Sequence, residues 1–324
     1  MENRSEKYDL TSEAGNKDKT VFAPFLVPTL NRYEHLKRCM ESLRMNTHAS
    51  NTDVYIALDY PLKESHWEGY SKIKHYIQHL DGFRTCNIIE RDRNLGAREN
   101  LCRARDEIFQ KYDRIIVSED DNYFSPNFLE YINKGLEKYK NDQTIFAICG
   151  YTLPIKLPGE YTANYYIYSG FAGWGYGVWR ERFQELKFEP GEVYKFLGHP
   201  RLVWKYIQGG HSRFTHLLNM LERHEMYGDT FVCMNLIQTE RYCIFPTISK
   251  VRNYGNDGSG EHCGRVDGFE KQQIDAGVDF NYGGVPSLNK RIEDILFKKQ
   301  KKSLLRRLYD VYRWAFLWIK GSLY

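Results

Sequence analysis

Three consecutive acidic residues, Glu119, Asp120 and Asp121, follow the apolar run at 115–117. Neighbouring carboxylates repel one another and resist ionisation unless a positive charge lies beside them. Their oxygen atoms are also the ligands that Mg²⁺ and Mn²⁺ prefer, and such an ion can hold a diphosphate group. The triplet therefore predicts a metal site for a diphosphate-bearing ligand, although a solvated acidic turn would explain an isolated triplet equally well.

The elements that would position this triplet alternate between strands and helices through the first 150 residues. Apolar, β-branched runs predict strands, and apolar residues spaced three and four apart predict helices. The predicted strands are 21–27 (ended by Pro28), 53–58, 86–90, the run before the triplet and 144–149; the predicted helices are 33–45, 67–80, one from about Ala97 and one from Ser125-Pro126. This order predicts an α/β fold with a mainly parallel sheet flanked by helices.

Ligands of such sheets bind outside the carboxyl ends of the strands. Asp59, the segment 91–100 and the acidic triplet all follow predicted strand ends. We therefore expect these three segments to converge on one crevice.

The pattern changes after residue 150. Tyrosine, tryptophan and glycine dominate 151–179, and no clear period is present. We expect this half to be irregular and to shape an acceptor pocket rather than to extend the sheet. Large aromatic residues more often belong to a core than to a site, and among them only Trp174 is favoured as a platform for a sugar ring.

The segment 298–324 carries eight basic residues and one acid, a net charge of +7, so the other 297 residues account for −3 of the total of +4. Its apolar residues fall on one helical stripe: Leu304, Leu308, Val311, Tyr312, Ala315 and Ile319. A basic amphipathic helix is typical of proteins that lie in the interface of an anionic membrane. The longest apolar run, 314–319, is too short to cross a bilayer. The competing interpretation is a helix packed on the body or on a second subunit.

Composition limits the class of protein. A hydrophobic content of 42% supports a buried core, and the acidic body excludes a basic nucleic-acid binder. The seven cysteines contain no CxxC pair, which indicates neither a disulfide framework nor a zinc site and favours a reducing compartment. Residues 1–20 are polar, so we expect a disordered lead-in and no cleaved export signal.

Several motifs occur in an order that resembles a known family. They are PTLNR at 28–32, RNLGARENL at 93–101, VSEDDNYFSPNF at 117–128, GFAGWGYGVW at 170–179, YGDTFVCMN at 227–235 and IFPTISKVRNYGNDGS at 244–259. This order resembles nucleotide-sugar-dependent glycosyltransferases of the GT-A fold, both the bacterial family 2 type and the N-acetylglucosaminyltransferase I group. The resemblance implies a Rossmann-like GT-A domain over 21–297, with a nucleotide-sugar-binding half at 21–150 and an acceptor-binding half at 151–297.

The resemblance implies a role for each acid of the triplet. Asp121 would be the direct ligand of Mn²⁺ or Mg²⁺, Asp120 would contact ribose or sugar hydroxyl groups, and Glu119 would contact the donor sugar. Alternate residues of a strand share a face, so we expect Glu119 and Asp121 on one side and Asp120 on the other. The competing interpretation of Asp121 is an acidic cap on the following helix, a role that Ser125 fits better.

The resemblance also implies contacts to a uridine diphosphate donor. Asp59 would accept a hydrogen bond from the uracil ring, although a simple turn at 59–61 is the alternative. Thr29 and Arg32 would line the same end of the crevice, near the base and the diphosphate.

Two further donor contacts are predicted on loops. Arg98 opens a predicted helix and could reach the phosphates, although an ion pair with Glu99 or Asp106 is equally compatible. Ser259 and His262 belong to a glycine-rich segment that suits a lid closing on the diphosphate or a plain flexible loop.

Inverting transfer requires a carboxylate that takes the proton from the attacking acceptor hydroxyl. The resemblance places this base in the segment 227–235, where Asp229 is the carboxylate. The eukaryotic members have a tryptophan-rich segment with paired acids there, from which this sequence departs. Glu222 and Glu225 are the alternatives, but their charged helical stretch is more typical of a solvated face.

The sequence therefore predicts an inverting, metal-dependent glycosyltransferase that moves a sugar from a nucleotide donor to a hydroxyl of a glycan. The favoured donor is a UDP-sugar. The predicted setting is the assembly of a bacterial surface polysaccharide on a lipid carrier, by a peripheral protein on the cytoplasmic face of the cell membrane. Two alternatives stay open. One is a sugar-nucleotide nucleotidylyltransferase, which should carry a glycine-rich loop after the first strand; the other is a non-catalytic glycan-binding protein on the same fold.

Overall fold

The computed structural model describes residues 22–225, 227–258, 272–286 and 288–321. The predicted lead-in at 1–20 and the predicted donor-binding residues Ser259 and His262 lie outside these ranges. The described strands are β1 (Phe25–Thr29), β2 (Asp53–Leu58), β3 (Thr85–Glu90), β4 (Arg114–Val117), β5 (Asn122–Phe124), β6 (Ile145–Cys149), β7 (Tyr165–Tyr168), β8 (Tyr176–Trp179), β9 (Tyr242–Pro246) and β10 (Val251–Asn253).

Eight of these strands form one mixed sheet in the order β3-β2-β1-β4-β8-β6-β9-β7, and β5 and β10 form a separate antiparallel ribbon. The pairs β1–β2, β1–β4 and β2–β3 are parallel, as the alternation of strands and helices predicts. The α/β class and the parallel core are thereby confirmed.

The second half of the chain extends the sheet, so the expectation that it does not do so is wrong. β8 pairs antiparallel with β4 and β6, and β9 and β7 continue the sheet beyond β6. The sequences of β7 and β8, YYIY and YGVW, are short, and their side chains are largely buried. Because both faces of these strands are covered, polar and apolar residues do not alternate along them.

β1 also continues through Pro28, where the sequence predicts its end. Pro28 stays in register with Ala57 of β2. The carbonyl of Leu26, two residues earlier and on the same side of the strand, accepts from the N–H of Ser118, just past the end of β4. Pro28 therefore faces the position beyond the end of β4, and the N–H that proline lacks costs the sheet no hydrogen bond.

Helices cover both faces of the sheet. They are α1 (Tyr33–Arg44), α2 (Trp67–Gln78), α3 (Gly96–Phe109), α4 (Phe128–Lys138), α5 (Arg180–Gln184), α6 (Pro190–Leu197), α7 (Pro200–Gln208), α8 (His211–Arg223), α9 (Gly228–Gln238), α10 (Lys290–Lys299) and α11 (Leu304–Gly321). Phe25 and Val27 of β1 face the cluster formed with α1, α2 and α4, whereas Leu26 faces the cluster formed with α3, α9 and α10. The period of two along β1 therefore divides the core into two layers.

A third apolar cluster joins α6, α7, α8 and α9 with one face of α11. Leu317 of α11 is buried in this cluster, and Asp310 and Arg313 are buried beside it. The interpretation in which this helix packs on the body is therefore confirmed, while the large residues of the predicted apolar stripe stay exposed. None of the described helices is long and apolar enough to span a bilayer.

Candidate active site

Three strand ends meet at one edge of the sheet, as the sequence predicts. Thr29, at the end of β1, donates from Oγ1 to Oδ2 of Asp120 over 2.8 Å. The N–H of Asp59, after β2, donates to the carbonyl of Thr29 over 2.9 Å. The carboxylate of Asp59 in turn accepts from the backbone of Leu95 and Gly96. The structure thus brings all three predicted segments to the same crevice.

Arg32 supplies the positive charge that the triplet requires. Its guanidinium contacts the carboxylates of both Asp120 and Asp121, with 2.9 Å between Nη1 and Oδ2 of Asp121. Both carboxylates are buried. Burial alone would lower the pKa of Arg32, but the two carboxylates raise it, and the net shift is upward. In the free protein, the chain itself therefore neutralises much of the acidic charge.

The expected alternation within the triplet is wrong. β4 ends at Val117, so the three acids lie in the turn between β4 and β5 rather than on a strand. Asp120 and Asp121 consequently face the same guanidinium instead of opposite sides. Neither Asp121 nor Ser125 caps α4. The N-cap residue is Asn127, and its side chain makes no capping hydrogen bond.

The β5–β10 ribbon closes the crevice over Asp121. Asn253, at the end of β10, donates from Nδ2 to Oδ1 of Asp121 over 2.5 Å, and the N–H of Tyr254 donates to its carbonyl over 2.9 Å. A side chain at Gly255 would begin 2.2 Å from Oδ2 of Asp121, so only glycine fits there. The sequence pattern does not predict these contacts of Asn253 and Gly255.

Glu119 stands at the accessible side of the crevice. Its side chain reaches solvent, yet the dense protein around it, followed by repulsion from Asp121, Asp229 and Asp120, raises its pKa to about 8. Since the charge of Asp229 contributes to this shift, Asp229 must lie close enough to act on the same crevice.

The residues present fit a divalent ion that binds together with a diphosphate. The described part of the chain contains no cluster of three acidic, histidine or cysteine side chains that would form a complete metal site. Mg²⁺ and similar ions, however, are commonly held by one or two carboxylates, with phosphate oxygens and waters completing the shell. Asp121 and Glu119 offer such hard oxygen ligands. The missing side chain at Gly255 leaves room beside Oδ2 of Asp121, which Arg32 contacts in the free protein.

Asp229 lies in the first turn of α9. Its Oδ2 accepts a hydrogen bond from the N–H of Gly173 over 3.1 Å, and a side chain at Gly173 would begin 2.7 Å from Oδ1. The side chain of Asp229 reaches solvent, yet the dense protein around it raises its pKa to about 6, and the Gly173 N–H only partly opposes this shift. A carboxylate with this pKa can accept a proton near neutral pH.

The two rival bases have other contacts. Glu222 binds Arg313 of α11 through both carboxylate oxygens, at 2.8 and 2.6 Å. Glu225 accepts from the hydroxyl of Tyr227 over 2.6 Å. These contacts favour Asp229 as the base.

Trp174 follows the glycine that binds Asp229. It is half-buried and meets Tyr151 edge to face, with 4.7 Å between the ring centroids. It also packs against the main core cluster, one residue beyond the glycine that contacts Asp229. Its role as a sugar platform stays a prediction.

Asp59 holds a loop in place. Oδ1 accepts from the N–H groups of Tyr60 and Leu95, and Oδ2 accepts from the N–H of Gly96 and more distantly from Asn94 Nδ2. Two carboxylate oxygens offer about four acceptor sites, so protein donors fill this carboxylate in the free protein. Contact with a uracil ring stays a prediction, and the structure adds a positioning role.

Replacing Asp59 with alanine should lower the free energy of unfolding by about 3 kcal/mol, because three half-buried N–H groups would lose a charged acceptor. We expect denaturant unfolding of the full chain to show this loss. Asp92→Ala is the matched control, since Asp92 is an exposed acid of the same loop and should change stability by less than about 0.5 kcal/mol. Equal effects of the two substitutions would contradict the positioning role.

Arg98 lies exposed in the first turn of α3. Its predicted ion-pair partners are engaged elsewhere, since Glu99 pairs with Arg103 and Asp106 with Arg105. Within the described ranges Arg98 has no ion-pair partner, so the ordinary surface pair is not formed. Its role toward the phosphates stays a prediction.

The parallel core of the sheet, the antiparallel β8 inserted beside β4, and the acidic turn at the edge of the sheet define the GT-A class of glycosyltransferase folds. The chain belongs to the GNT-I family, whose family model matches residues 5–191. This confirms the resemblance to the N-acetylglucosaminyltransferase I group. A search among curated proteins gave no match.

Solved structures offer more distant similarities. TarS of S. aureus is 12% identical over 44% of this chain and 24% of its own, with a TM-score of 0.30. TarS 1–349 in complex with UDP is 14% identical over 43% and 40%, with a TM-score of 0.31. The mannosyltransferase PcManGT from Pyrobaculum calidifontis, in complex with GDP-Man and Mn²⁺, is 11% identical over 68% and 70%, with a TM-score of 0.39. The chain spans about a quarter of the length of TarS.

Proposed function

We propose that the protein is an inverting glycosyltransferase that moves a sugar from a nucleotide-sugar donor to a hydroxyl group of a glycan acceptor. The observation that carries the proposal is the acidic triplet, in which Asp120 and Asp121 are buried against Arg32 and Glu119 lies close enough to Asp229 for the charge of Asp229 to raise its pKa. Acids with raised pKa values are costly to maintain and are typical of sites that move protons or bind charged ligands. Membership of the GNT-I family supports the same activity.

The donor would lie along the ends of β1 and β4. Asp120, fixed by Thr29, would accept from ribose or sugar hydroxyls, and Arg32 would bind the diphosphate. Phosphate oxygens suit the planar guanidinium as well as carboxylates do, so Arg32 can exchange its contact with Asp121 for one with the donor. A Mn²⁺ or Mg²⁺ ion held by Asp121, with Glu119 beside it, would neutralise the charge of the departing nucleoside diphosphate.

The acceptor would approach from the side of α9. Asp229 would take the proton of the attacking hydroxyl, and the N–H of Gly173 holds its carboxylate toward the crevice. Trp174, next in sequence, would present its accessible part to the acceptor sugar. Displacement with inversion would require the base on the side of the anomeric carbon opposite the departing diphosphate, and Asp229 would fill this role.

The two alternatives find less support. A nucleotidylyltransferase should carry a glycine-rich loop after the first strand, but the nine residues 28–36, PTLNRYEHL, contain no glycine. A non-catalytic glycan-binding protein would have no use for the raised pKa values of Asp229 and Glu119.

The proposed setting is the assembly of a bacterial surface polysaccharide on a lipid-linked acceptor, at the cytoplasmic face of the membrane. The six cysteines in the described part of the chain are all free thiols, which fits a reducing compartment. A UDP-linked donor is part of the same proposal.

Thermal unfolding of the full chain with UDP, GDP and Mn²⁺, singly and together, tests this proposal. Ligand at ~100 times its Kd stabilises by about 2.7 kcal/mol, so we expect the Tm to rise by about 5 °C with UDP and Mn²⁺ together, and less with either alone. Equal stabilisation by UDP with and without Mn²⁺ would refute metal dependence. Stabilisation by glycan fragments without any nucleotide effect would favour the glycan-binding alternative.

A further inference from the structure

Helix α11 is attached to the body through its charged side. Asp310 is fully buried and accepts from Oγ1 of Thr215 over 2.6 Å, from Nε2 of His211 at 3.1 Å and from Arg313 over 2.7 Å. Arg313 also binds both carboxylate oxygens of Glu222. Because a buried charge that loses its partner is strongly destabilising, this network fixes which side of α11 faces the protein.

Apolar contacts complete the attachment on the same side. Trp314 donates from Nε1 to the carbonyl of Leu197 over 2.9 Å, and Leu317 is buried in the third cluster. α11 is therefore a docked helix with a fixed rotation about its axis.

The opposite side of α11 is apolar and faces outward. Large exposed residues follow it along its whole length, among them Leu304 (65% exposed), Leu308 (60%), Tyr312 (67%), Phe316 (58%) and Ile319 (60%). At 100° per residue, the exposed apolar positions cover roughly 200° of the circumference over a length of about 27 Å. The usual arrangement, with apolar residues inward and charges outward, is reversed. An exposed apolar face of this extent indicates an interaction surface.

Exposed lysines lie before and at the end of this helix. Lys298, Lys299, Lys301 and Lys302 precede the helix, and Lys320 lies at its far end. A second copy of the chain on this face would bring lysines near lysines, whereas an anionic surface would neutralise them. The apolar arc is also wider than the narrow seam of a helix pair. Tyr309, Tyr312 and Trp318 are residues that favour the level of lipid headgroups.

We propose that the outward face of α11 is a docking surface for an anionic lipid bilayer, on which the helix lies in the plane of the headgroups. The rigid attachment of α11 gives the protein one orientation on the bilayer. Leu317 of α11 and Phe231 of α9 share the third cluster, so the helix that carries Asp229 is held at a fixed position relative to the lipid. The docking itself does not depend on the proposed transfer activity.

Flotation of the full chain with lipid vesicles tests the proposal. We expect the protein to float with vesicles of phosphatidylcholine that contain phosphatidylglycerol, to float weakly with phosphatidylcholine alone, and to be released by salt. The double substitution Leu308→Glu with Tyr312→Glu should reduce binding to the anionic vesicles about tenfold or more. Both side chains face outward, so thermal unfolding should be unchanged.

The matched control is Met45→Glu with Leu62→Glu, which adds the same two charges at exposed apolar positions far from α11 in sequence (76% and 67% exposed). It should retain binding. Failure of the unsubstituted protein to float with anionic vesicles would overturn the proposal, and so would equal losses in the two double variants. Light scattering that shows a dimer, which only the α11 variant converts to a monomer, would assign the face to a second copy instead.

Discussion

Replacing Asp121 with asparagine should reduce sugar transfer about a thousandfold, because the substitution removes charge from the group proposed to hold the divalent ion. Asparagine has nearly the same shape and can keep a hydrogen bond with Asn253, while Asp120 remains as a partner for Arg32. The fold should therefore survive. Initial rates at saturating donor, with thermal unfolding of the same preparation, measure both effects.

A second measurement distinguishes loss of the metal ion from loss of the folded structure. Mn²⁺ should no longer increase the stabilisation by UDP in Asp121→Asn, whereas it should still do so in Asp81→Asn. Asp81 is an exposed acid whose ion-pair partner in the described part of the chain is Arg44, and it serves as the control. Full activity of Asp121→Asn, or full activity of the unsubstituted protein in excess chelator, would contradict the assignment.

The convergence of the site could be predicted because it depends on strand ends. Asp59 and Glu119–Asp121 each follow an apolar run, and parallel strands bring their carboxyl ends to one edge. Local sequence is sufficient for this inference. Local sequence does not predict which way the side chains of the three acids point, because β4 ends at Val117 and the triplet lies in a turn.

The contacts of Asn253 and Gly255 with Asp121 could not be predicted. They depend on the β5–β10 ribbon, which is only three residues long on each side and joins segments more than a hundred residues apart. Three residues are too few for a periodic pattern. A glycine in a loop is also compatible with flexibility, and only the approach to Asp121 shows why a side chain is excluded.

Helix α11 shows a different limit. The period of 3.6 residues predicted its apolar stripe correctly, but not which side docks on the body. Asp310 resembles a solvated residue in a basic segment, and its burial depends on His211 and Thr215, about a hundred positions earlier. Sequence patterns report amphipathicity, whereas the choice of buried side depends on long-range partners.

Replacing Asp229 with asparagine should leave donor binding unchanged and reduce transfer about a thousandfold, within the range usual for loss of a general base. Asparagine can still accept from the N–H of Gly173, so the first turn of α9 should keep its position. Rates of transfer, together with UDP-dependent thermal stabilisation in Mn²⁺, separate the two effects. Asp294→Asn, an exposed acid of α10, is the control and should retain activity.

The pH dependence offers an independent test of the same residue. The dense protein around Asp229 raises its pKa to about 6, and only the deprotonated carboxylate can accept a proton. As far as Asp229 controls the rate, kcat/KM should therefore be constant above this pKa. Below it kcat/KM should fall, and the fall should reach about tenfold per pH unit at about pH 5. Glu119 also titrates in this crevice, and its pKa responds to the charge of Asp229. The residual activity of Asp229→Asn must therefore be measured over the same pH range, to separate the two groups. If the acidic limb persists in that variant, the base is another residue; if it disappears with the bulk of the activity, the proton is taken by Asp229.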